Sequence, residues 1–591
     1  MRPLVEKALD LTRSAGGGPP YLVVSAPTGY GKTVSAPLIA SELVSRGFCY
    51  SFIHSLPLRA IVRDAYRCLI LNSLIDDPRL RDECRKSGEV LDVVEKALRG
   101  AGIGIGDVAY QMGEYLSNGE LETYQRKEPL FDARYVVTTL DSLVLNMFRI
   151  PVAEFYSYRK HYTIPWSRIY VSAILLDEAH AIVEDYDESS RSRAFTVFKV
   201  LLEVAGAARI PVVVSSATLP ERLVEAVVSS LGGGVAVVEL GRSAEERGNR
   251  VVVRDEDFES SVLSVKWGTR VIGSSEVIDK VVERVSSGRR VFVACDSISR
   301  AVSLYRELST TLGEGSVVLL HSMLKMGDRE ERLRRLSSYS TKVLVATSVV
   351  EAGVDVSFDD LVTDGGNPFS VVQRIGRVCR YLDCGEAEVY VVKEFSDPQL
   401  VEFVERYGDR VMWRLPYDAD DMVSYRKLLE AVSLEEDHRI RGLLEVLLYP
   451  LLIPQNDIGR VLRELGGSLL REFLVTVVVG DGNKLSGVSY EEVLRSTVVM
   501  DFERLKELVS RDCVYGLYVL LKEKEDPTKV AEVRPVNLEL GRVLGRGRLR
   551  GAVGEYIEKL GEIYREHRSR VIAVAFLAKE ECYGATGLGY V

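Results

Sequence analysis

Long apolar runs and paired cysteine motifs are both missing from this chain of 591 residues. No uninterrupted apolar segment approaches the ~20 residues of a membrane span, and no N-terminal stretch combines a basic start, an apolar run and a small-residue cleavage site. The eight cysteines fall singly, and the closest pair, Cys379 and Cys384, lacks the CxxC spacing of zinc and redox motifs. We therefore expect a reduced, cytoplasmic protein with no membrane partner.

Histidine is scarce and a net positive charge is absent. The chain has only six histidines, they are scattered, and no His-Asp dipeptide occurs, so a metal-dependent nuclease centre is not expected. The net charge of −10 argues against a surface that coats nucleic acid indiscriminately, so nucleic acid would have to be held in a local basic cleft. An apolar fraction of 46% and a charged fraction of 27% indicate a globular chain without a disordered tract.

Short apolar runs that alternate with helix-period segments dominate the rest of the sequence. They begin at residues 21–26, and the alternation restarts at residues 289–296. Continuous apolar strands of this kind are typical of a parallel sheet covered by helices on both faces, so an α/β fold with two tandem parallel-sheet lobes is predicted. Beyond residue 394 helices give way to hairpin-like pairs with turns at Asp481-Gly482 and near Asp526-Pro527, which predicts a mixed α+β C-terminal domain.

The predicted domain boundaries follow from these changes of pattern. The first lobe is assigned to residues 1–241, the second lobe to 242–395 and the C-terminal domain to 396–591, helical at first and then rich in strands. A charged stretch from Asp76 to Arg99 is interpreted as a solvated helical insertion in the first lobe.

A phosphate loop is predicted at residues 26–33, "APTGYGKT", which follows an apolar run and precedes helical sequence. In such a loop backbone N–H groups surround the phosphates, Lys32 reaches the β- and γ-phosphates, and the Thr33 hydroxyl ligates magnesium. A glycine-rich turn with an incidental lysine is the alternative. The expected ATP-binding residues of this loop are Thr28, Gly29, Gly31, Lys32 and Thr33.

Paired carboxylates end the apolar run in "ILLDEAH". At the carboxyl end of a parallel strand such a pair projects into the crevice where α/β sheets bind ligands. Asp177 would then hold magnesium, and Glu178 would polarise the water that attacks the γ-phosphate. An acidic pair that caps a helix is the alternative. His180 is expected to link the nucleotide site to the second lobe rather than to serve as a packed or surface histidine.

The order of these segments resembles that of superfamily 2 helicases. The phosphate loop and the DEAH box precede "SAT" (Ser216 to Thr218), and a second lobe carries "VATSVVEAGVDVSFDD" and "QRIGRVCR". The resemblance implies two RecA-like lobes that sandwich ATP, with Mg²⁺ as cofactor and single-stranded nucleic acid lying across both lobes. It also implies that His180, Ser216 and Thr218 couple the two sites and that Asp355 contributes to ATP binding.

Three arginines lie in "VVQRIGRVCR", residues 371–380. The resemblance to superfamily 2 helicases implies that this segment faces the γ-phosphate. The family pattern makes Arg377 and Arg380 fingers that stabilise transition-state charge, an effect worth about 10³- to 10⁵-fold in rate in other phosphoryl-transfer enzymes. Gln373 would orient the water or the γ-phosphate. Arg374 lies outside the finger positions and is expected to be structural. The predicted catalytic residues are therefore Lys32, Asp177, Glu178, Gln373, Arg377 and Arg380.

Nucleic-acid contacts are assigned by the same resemblance. Donors to the sugar–phosphate backbone hold a strand without reading its sequence, as a motor requires. Strand ends or helix caps are the alternative for the first-lobe residues, and a packed strand residue is the alternative for Thr347. DNA and RNA are not distinguished by these side chains. The assigned residues are Pro57, Arg59, Thr138, Thr139, Asp141, His321, Ser322, Arg329 and Thr347.

Further segments of the sequence are similar to one branch of this superfamily, the CRISPR-associated helicase of type I interference systems. The segments are "LPLRAIVRDAY", "VTTLDSL", "LLHSMLKMGDREER" and the closing "YGATGLGYV". The resemblance implies an ATP-dependent helicase that moves 3′ to 5′ on the displaced single-stranded DNA of a target held by an RNA-guided surveillance complex. Alternatives are a superfamily 2 helicase of DNA repair or RNA metabolism and a nucleotide-switched binding module.

Two departures from that branch qualify the expectation. Many members begin with a histidine–aspartate nuclease domain, whereas this sequence reaches its phosphate loop by Ala26, so a helicase-only form with a separate nuclease subunit is expected, as in subtype I-A. No glutamine precedes the phosphate loop, where relatives often place one to read adenine.

Overall fold

The computed structural model describes the chain except for residues 1, 17, 85, 114–124, 151–162, 183–190, 218, 233, 337–340, 351–355, 431–433, 449–468, 471–472, 523–528, 539–548, 568–569 and 591. The chain divides into two compact units. The first comprises Met1–Ala153, His161–Ser274 and Glu351–Leu448, and the second comprises Glu154–Lys160, Ser275–Val350 and Tyr449–Val591. Within the described ranges no helix has the length and apolar character needed to cross a membrane.

The first lobe is built on a nine-stranded sheet in the order β3-β4-β2-β5-β7-β1-β8-β10-β9. Its neighbouring strands are parallel except for β9 and β10. The strands are β1 (Tyr21–Ser25), β2 (Ser51–Leu56), β3 (Val108–Gln111), β4 (Tyr135–Thr139), β5 (Ser172–Asp177), β7 (Val212–Ser216), β8 (Val235–Leu240), β9 (Glu245–Arg247) and β10 (Arg250–Val253), with a short separate strand β6 (Arg191–Ser192).

The strands of this sheet are almost wholly buried, because helices pack their apolar faces against it. A π-helical stretch, Ala65–Leu71, follows the third helix. The helices are α1 (Pro3–Ser14), α2 (Lys32–Ser45), α3 (Arg59–Asp64), α4 (Asn72–Leu74), α5 (Pro78–Cys84), α6 (Gly88–Gly100), α7 (Leu140–Met147), α8 (Thr163–Tyr170), α9 (Arg193–Ala207), α10 (Glu221–Leu231) and α11 (Glu256–Leu263).

Two details of the first lobe differ from the sequence-based expectation. The sheet continues through β10, and Phe258 of α11 joins the same core, so the lobe extends beyond the predicted boundary at residue 241. The stretch predicted as a solvated insertion has one buried face, since Leu91, Val94 and Leu98 of α6 are buried. Their spacing of three and four residues is that of an amphipathic helix, which the abundance of charge obscured.

Six further strands in parallel pairings follow along the chain, three in each unit. In the first unit β16 pairs in parallel with β11 and β15, and in the second unit β14 pairs in parallel with β12 and β13. The strands are β11 (Lys266–Ile272), β12 (Val291–Ala294), β13 (Val317–Leu320), β14 (Val343–Ala346), β15 (Asp360–Gly365) and β16 (Glu386–Ser396). The accompanying helices are α12 (Val277–Ser286), α13 (Ile298–Leu312), α14 (Met326–Leu336), α15 (Pro368–Ile375) and α16 (Pro398–Tyr407).

The remaining chain is mixed α+β, as predicted, and most of its sheet lies in the second unit. Five strands there have the order β21-β20-β24-β22-β23. The elements are β17 (Val411–Met412), β18 (Val423–Ser424), α17 (Arg426–Leu429), β19 (Glu435–Glu436), α18 (His438–Leu448), β20 (Leu474–Val479), α19 (Tyr490–Arg495), β21 (Thr497–Asp501), α20 (Phe502–Ser510), β22 (Val514–Lys522), β23 (Val530–Val536), α21 (Leu549–His567), β24 (Val571–Ala578), β25 (Tyr583–Gly584) and β26 (Gly587–Leu588).

The predicted hairpins have different outcomes. Strands β22 and β23 pair antiparallel, as expected, although their connection lies outside the described residues. Strands β20 and β21 also pair antiparallel, but α19 stands between them, so the turn at Asp481-Gly482 does not join the two strands directly. Residues 396–448, predicted to open the C-terminal domain, belong to the first unit instead.

The expectation of a reduced chain is wrong. The described residues contain the disulfide bonds Cys68–Cys84, Cys379–Cys384 and Cys513–Cys582, while Cys49 and Cys295 are free thiols. The spacing of cysteines along the sequence did not reveal these bonds because the fold brings together partners that are 16 and 69 residues apart.

Replacing Cys513 by serine tests how much its bond to Cys582 stabilises the C-terminal sheet. The bond closes a loop of 69 residues, for which the chain-entropy account gives about 4 kcal/mol of unfolding free energy. We expect Cys513→Ser to lower the urea midpoint measured by circular dichroism without reductant. Cys379→Ser is the matched control, because its loop of 5 residues corresponds to only about 2 kcal/mol. An unchanged midpoint in Cys513→Ser would contradict the bond.

Candidate nucleotide site

The phosphate loop connects β1 to α2. Gly29 and Gly31 have φ angles of 78° and 99°, a left-handed conformation that favours glycine, and Gly31 is the N-cap of α2. The Lys32 ammonium is buried and donates hydrogen bonds to the carbonyl oxygens of Ala26 at 2.9 Å and Pro27 at 3.1 Å. Burial lowers the pKa of Lys32. The loop and the helix start together form the kind of cradle that binds phosphate.

The two residues predicted to ligate magnesium are in direct contact. The Thr33 hydroxyl donates a hydrogen bond of 3.1 Å to Asp177 Oδ2 at the carboxyl end of β5. Hydroxyl and carboxylate oxygens are the hard ligands that Mg²⁺ prefers, and this ion retains several waters beside a small number of protein ligands. The donor set therefore fits the predicted cofactor.

A buried network behind Asp177 was not found from the sequence. His54 Nε2 lies 3.4 Å from Asp177 Oδ2, and the Tyr135 hydroxyl lies 3.2 Å from His54 Nδ1. Strand β2 is flanked by β4 and β5, which places the three side chains together. Burial raises the pKa of Tyr135 well above its ordinary value. The network limits the rotation of the carboxylate. A histidine inside the apolar run "SFIHSL" was the available signal.

Glu178 is held by a second set of contacts. Its backbone has a φ of 54°, which is uncommon for a residue other than glycine and occurs often at functional sites. Its Oε2 lies 3.3 Å from His180 Nδ1, which is also 3.0 Å from the Ser216 hydroxyl. Burial raises the pKa of Glu178, but Lys32, His180 and Arg380 outweigh burial and lower it to about 2. The carboxylate is thus ionised, the form that a general base requires.

The segment predicted to carry the arginine fingers lies against the phosphate loop within the first unit. A Cβ added at Gly376 would lie 2.5 Å from Thr28 Oγ1, so only glycine fits where this segment meets the loop. Gln373 and Arg377 are buried, and the Arg380 charge acts on both Lys32 and Glu178. These contacts bring the predicted finger segment to the predicted phosphate site.

Arg374 has a structural position, as expected. Its Nη1 donates to the Thr363 hydroxyl at 3.1 Å and to the Asp364 carbonyl oxygen at 2.6 Å, so it ties α15 to the end of β15. Thr218 and Asp355, the two other residues assigned to this site, lie outside the described residues.

Sequence reasoning also missed a cation, Arg414, in the apolar stretch "VMWRLP". The side chain is 1% exposed and lies beside the phosphate loop. Burial, with a smaller effect of the Arg380 charge, lowers the pKa of Arg414 to about 10. The sequence placed this arginine in an accessory domain, so its position at the nucleotide site came only from the fold.

The predicted nucleic-acid residues of the first unit are largely buried. The Thr138 hydroxyl donates to the Gln111 carbonyl oxygen at 2.8 Å, and Thr139 Oγ1 accepts from the Ser142 N–H at the start of α7. These are the strand-end and cap roles considered as alternatives. Pro57 is buried as well, whereas Arg59 at the start of α3 and Asp141 in the first turn of α7 are partly exposed.

In the second unit most of the assigned residues are covered too. His321 is fully buried, with Nε2 at 3.1 Å from the Thr586 carbonyl oxygen, and burial lowers its pKa to about 4. A neutral buried imidazole does not present a charge to phosphate, and a nucleic-acid contact of His321 stays a prediction. Ser322 accepts a hydrogen bond from Arg504 at 2.8 Å. Thr347 is buried, and Arg329 is partly exposed on α14.

Comparison with known proteins shows which proteins the chain is similar to. The family described as "CRISPR-associated nuclease/helicase Cas3, C-terminal" matches residues 287–383. The Cas3 nuclease/helicase of Methanothermobacter thermautotrophicus is 24% identical over 426 residues, which cover 70% of this chain and 44% of that protein. Cas3 of Escherichia coli is 24% identical over 391 residues, covering 61% and 41%. The chain is similar to these Cas3 proteins.

The Cas3 likeness extends to solved structures. The crystal structure of T. fusca Cas3 with AMPPNP has a TM-score of 0.52 and 17% identity, and covers 85% of this chain and 64% of that one. This likeness confirms the fold of two RecA-like lobes and a C-terminal domain. The resemblance to CRISPR-associated helicases inferred from the motifs is also confirmed. The Cas3-related chain spans less than half the length of the curated relatives it matches.

The ionised Glu178 makes a pH-dependent contribution to stability. Folding lowers its pKa from 4.5 to about 2, so its contribution is present above pH 4.5 and is lost as the pH falls through about 2. We expect the difference in urea midpoint between the wild-type chain and Glu178→Gln to shrink across this window. Glu225→Gln, on an exposed position of α10, is the control. A Glu178→Gln difference that stays constant throughout would contradict the lowered pKa.

Proposed function

We propose that this chain is an ATP-dependent, Mg²⁺-requiring translocase and helicase on single-stranded DNA that serves CRISPR interference. The observation that carries the proposal is the meeting of Thr33 and Asp177 at 3.1 Å, beside the buried Lys32 and the ionised Glu178. A site with these groups has the parts that hydrolysis of a γ-phosphoryl group needs. The relationship to Cas3 supports the assignment to interference.

Each side chain has a defined role in the proposed hydrolysis. Lys32 and the loop N–H groups bind the β- and γ-phosphates, and Glu178 accepts a proton from the attacking water. Arg377 and Arg380 stabilise the charge that develops on the transferred phosphoryl group. Thr33 and Asp177 would hold Mg²⁺, which neutralises phosphate charge when bound.

The similarity to Cas3 also supports a proposal for the substrate strand and the partner proteins. The proposed substrate strand is the DNA displaced at a target bound by an RNA-guided surveillance complex, travelled 3′ to 5′ in the cytoplasm. A separate nuclease subunit of the histidine–aspartate type would cut that strand. Among the described residues no group of three or more His, Cys, Asp or Glu side chains could hold a metal ion.

Nucleic-acid dependence of turnover tests the proposal. We expect single-stranded DNA to stimulate ATP hydrolysis more than matched RNA does, and the chain to unwind a duplex with a 3′ tail. Glu178→Gln is the control and should retain ATP binding while losing most turnover, because the amide does not accept the proton. Stimulation by RNA alone would favour an RNA helicase. Turnover indifferent to both polymers would favour a nucleotide-switched binding module.

The finger assignment predicts a division among three arginines. Arg377→Ala and Arg380→Ala should each lower kcat for ATP by about 10³-fold or more, with a much smaller effect on nucleotide affinity. Arg374→Ala should instead lower the thermal unfolding midpoint, because it leaves the carbonyl oxygen of Asp364 without its 2.6 Å donor. Steady-state kinetics and thermal unfolding of the three variants measure these outcomes. Equal losses of kcat in all three would contradict the division.

A further inference from the structure

A segment of the first unit that neither the motifs nor the proposed function uses contacts several parts of the nucleotide site. We call residues 411–430, which contain β17, β18 and α17, the bridging segment. Its Tyr425 hydroxyl donates a hydrogen bond of 3.0 Å to the carbonyl oxygen of Ala217, next to Ser216. Its Trp413 indole N–H donates to Thr269 Oγ1 at 3.0 Å. Both aromatic side chains are buried, so the segment has a fixed position.

Arg414 follows the Trp413 anchor, and its acceptors among the described residues are all backbone carbonyl oxygens. Its Nη2 lies 3.2 Å from the carbonyl oxygen of Thr28 and 3.3 Å from that of Arg380. Its Nη1 lies 3.4 Å from the carbonyl oxygen of Val378. One guanidinium therefore joins the phosphate loop to two residues of the finger segment.

The charge of Arg414 has no carboxylate partner in the part of the chain that the structure describes. Its closest charged neighbours include Arg380, and it also acts on Lys32. Among the described residues, Asp177 and Glu178 are the carboxylates that act on Lys32. A buried cation without a counter-charge is costly, and a polyphosphate ligand would supply that counter-charge.

We propose that Arg414 is a positioning residue for nucleotide hydrolysis. It sets the position of the Arg380 backbone relative to the phosphate loop, and its charge adds to the attraction for the polyphosphate. The inference rests on the proposed ATPase function, and it assigns part of the nucleotide site to a segment beyond the two sheets. A planar guanidinium has donors in a fixed fork that reach several acceptors at once, whereas a lysine ammonium on a flexible stem does not reproduce that geometry.

Two substitutions separate geometry from charge. Arg414→Lys retains the charge and loses the fork, so we expect kcat to fall by about 10- to 100-fold, the scale of a small misplacement of a catalytic group. Binding of a non-hydrolysable ATP analogue should stay within a few-fold of wild type. Arg414→Met removes the charge as well, so the ATP analogue should bind more weakly to this variant than to wild type. The loss of affinity for the analogue should be larger than the loss of affinity for AMP.

A double substitution tests whether Arg414 acts through Arg380. In an Arg380→Ala background, Arg414→Lys should lower kcat no further, because the finger that it positions is gone. A purely structural role would give the same loss of kcat in both backgrounds. Arg426→Lys is the matched control on the same segment. It weakens the ion pairs with Glu221 and Glu239, at 3.3 and 3.0 Å, and should leave kcat unchanged.

The outcomes distinguish this inference from the proposed function. If the wild-type chain hydrolyses ATP and Arg380→Ala impairs it, while Arg414→Lys has wild-type kcat, the positioning role alone is overturned. If Arg414→Lys and Arg426→Lys lower both kcat and the thermal unfolding midpoint to the same extent, Arg414 is only structural. Absence of turnover in a folded wild-type chain that binds nucleotide would overturn both proposals.

Discussion

The buried Lys32 ammonium needs compensation, because a cation removed from water is costly unless it is paired or hydrogen-bonded. Two loop carbonyl oxygens accept its hydrogen bonds, and the carboxylates of Asp177 and Glu178 act on its charge. The same charges keep Glu178 ionised despite its burial. The end of β5, the phosphate loop and the finger segment together bring these opposite charges close to one another.

The parts of the site that the sequence revealed are those in which a local pattern carries the geometry. Gly29 and Gly31 have left-handed backbone angles, and Asp177 ends an apolar strand, so the local sequence was enough to predict a phosphate loop and an acidic pair at these positions. The parallel sheets followed in the same way from uninterrupted apolar runs. By contrast, His54 and Arg414 are single polar residues in apolar stretches, and their partners lie on other strands or hundreds of residues away.

The residues predicted to contact nucleic acid show what cannot be inferred from a family motif alone. Thr138 and Thr139 satisfy backbone groups at a strand end and a helix start, and His321 is covered by the chain around Thr586. A family motif identifies a position in the fold, but the exposure of that position depends on what packs over it. In this chain the hairpin of β25 and β26 supplies that cover within the second unit, through the hydrogen bond from Leu588 N–H to the Met323 carbonyl oxygen at 2.9 Å.

The grouping of residues 396–448 with the first unit bears on how the chain is divided for experiments. A fragment that ends after β16 would hold the phosphate loop, the acidic pair and the finger segment. It would lose the guanidinium that bonds to the Thr28 and Arg380 carbonyl oxygens and the hydroxyl that bonds to Ala217. With the Val378 carbonyl oxygen, which the same guanidinium also contacts, four backbone acceptors would then need water in place of protein donors. The smallest fragment that keeps this candidate nucleotide site intact is therefore longer than the motifs.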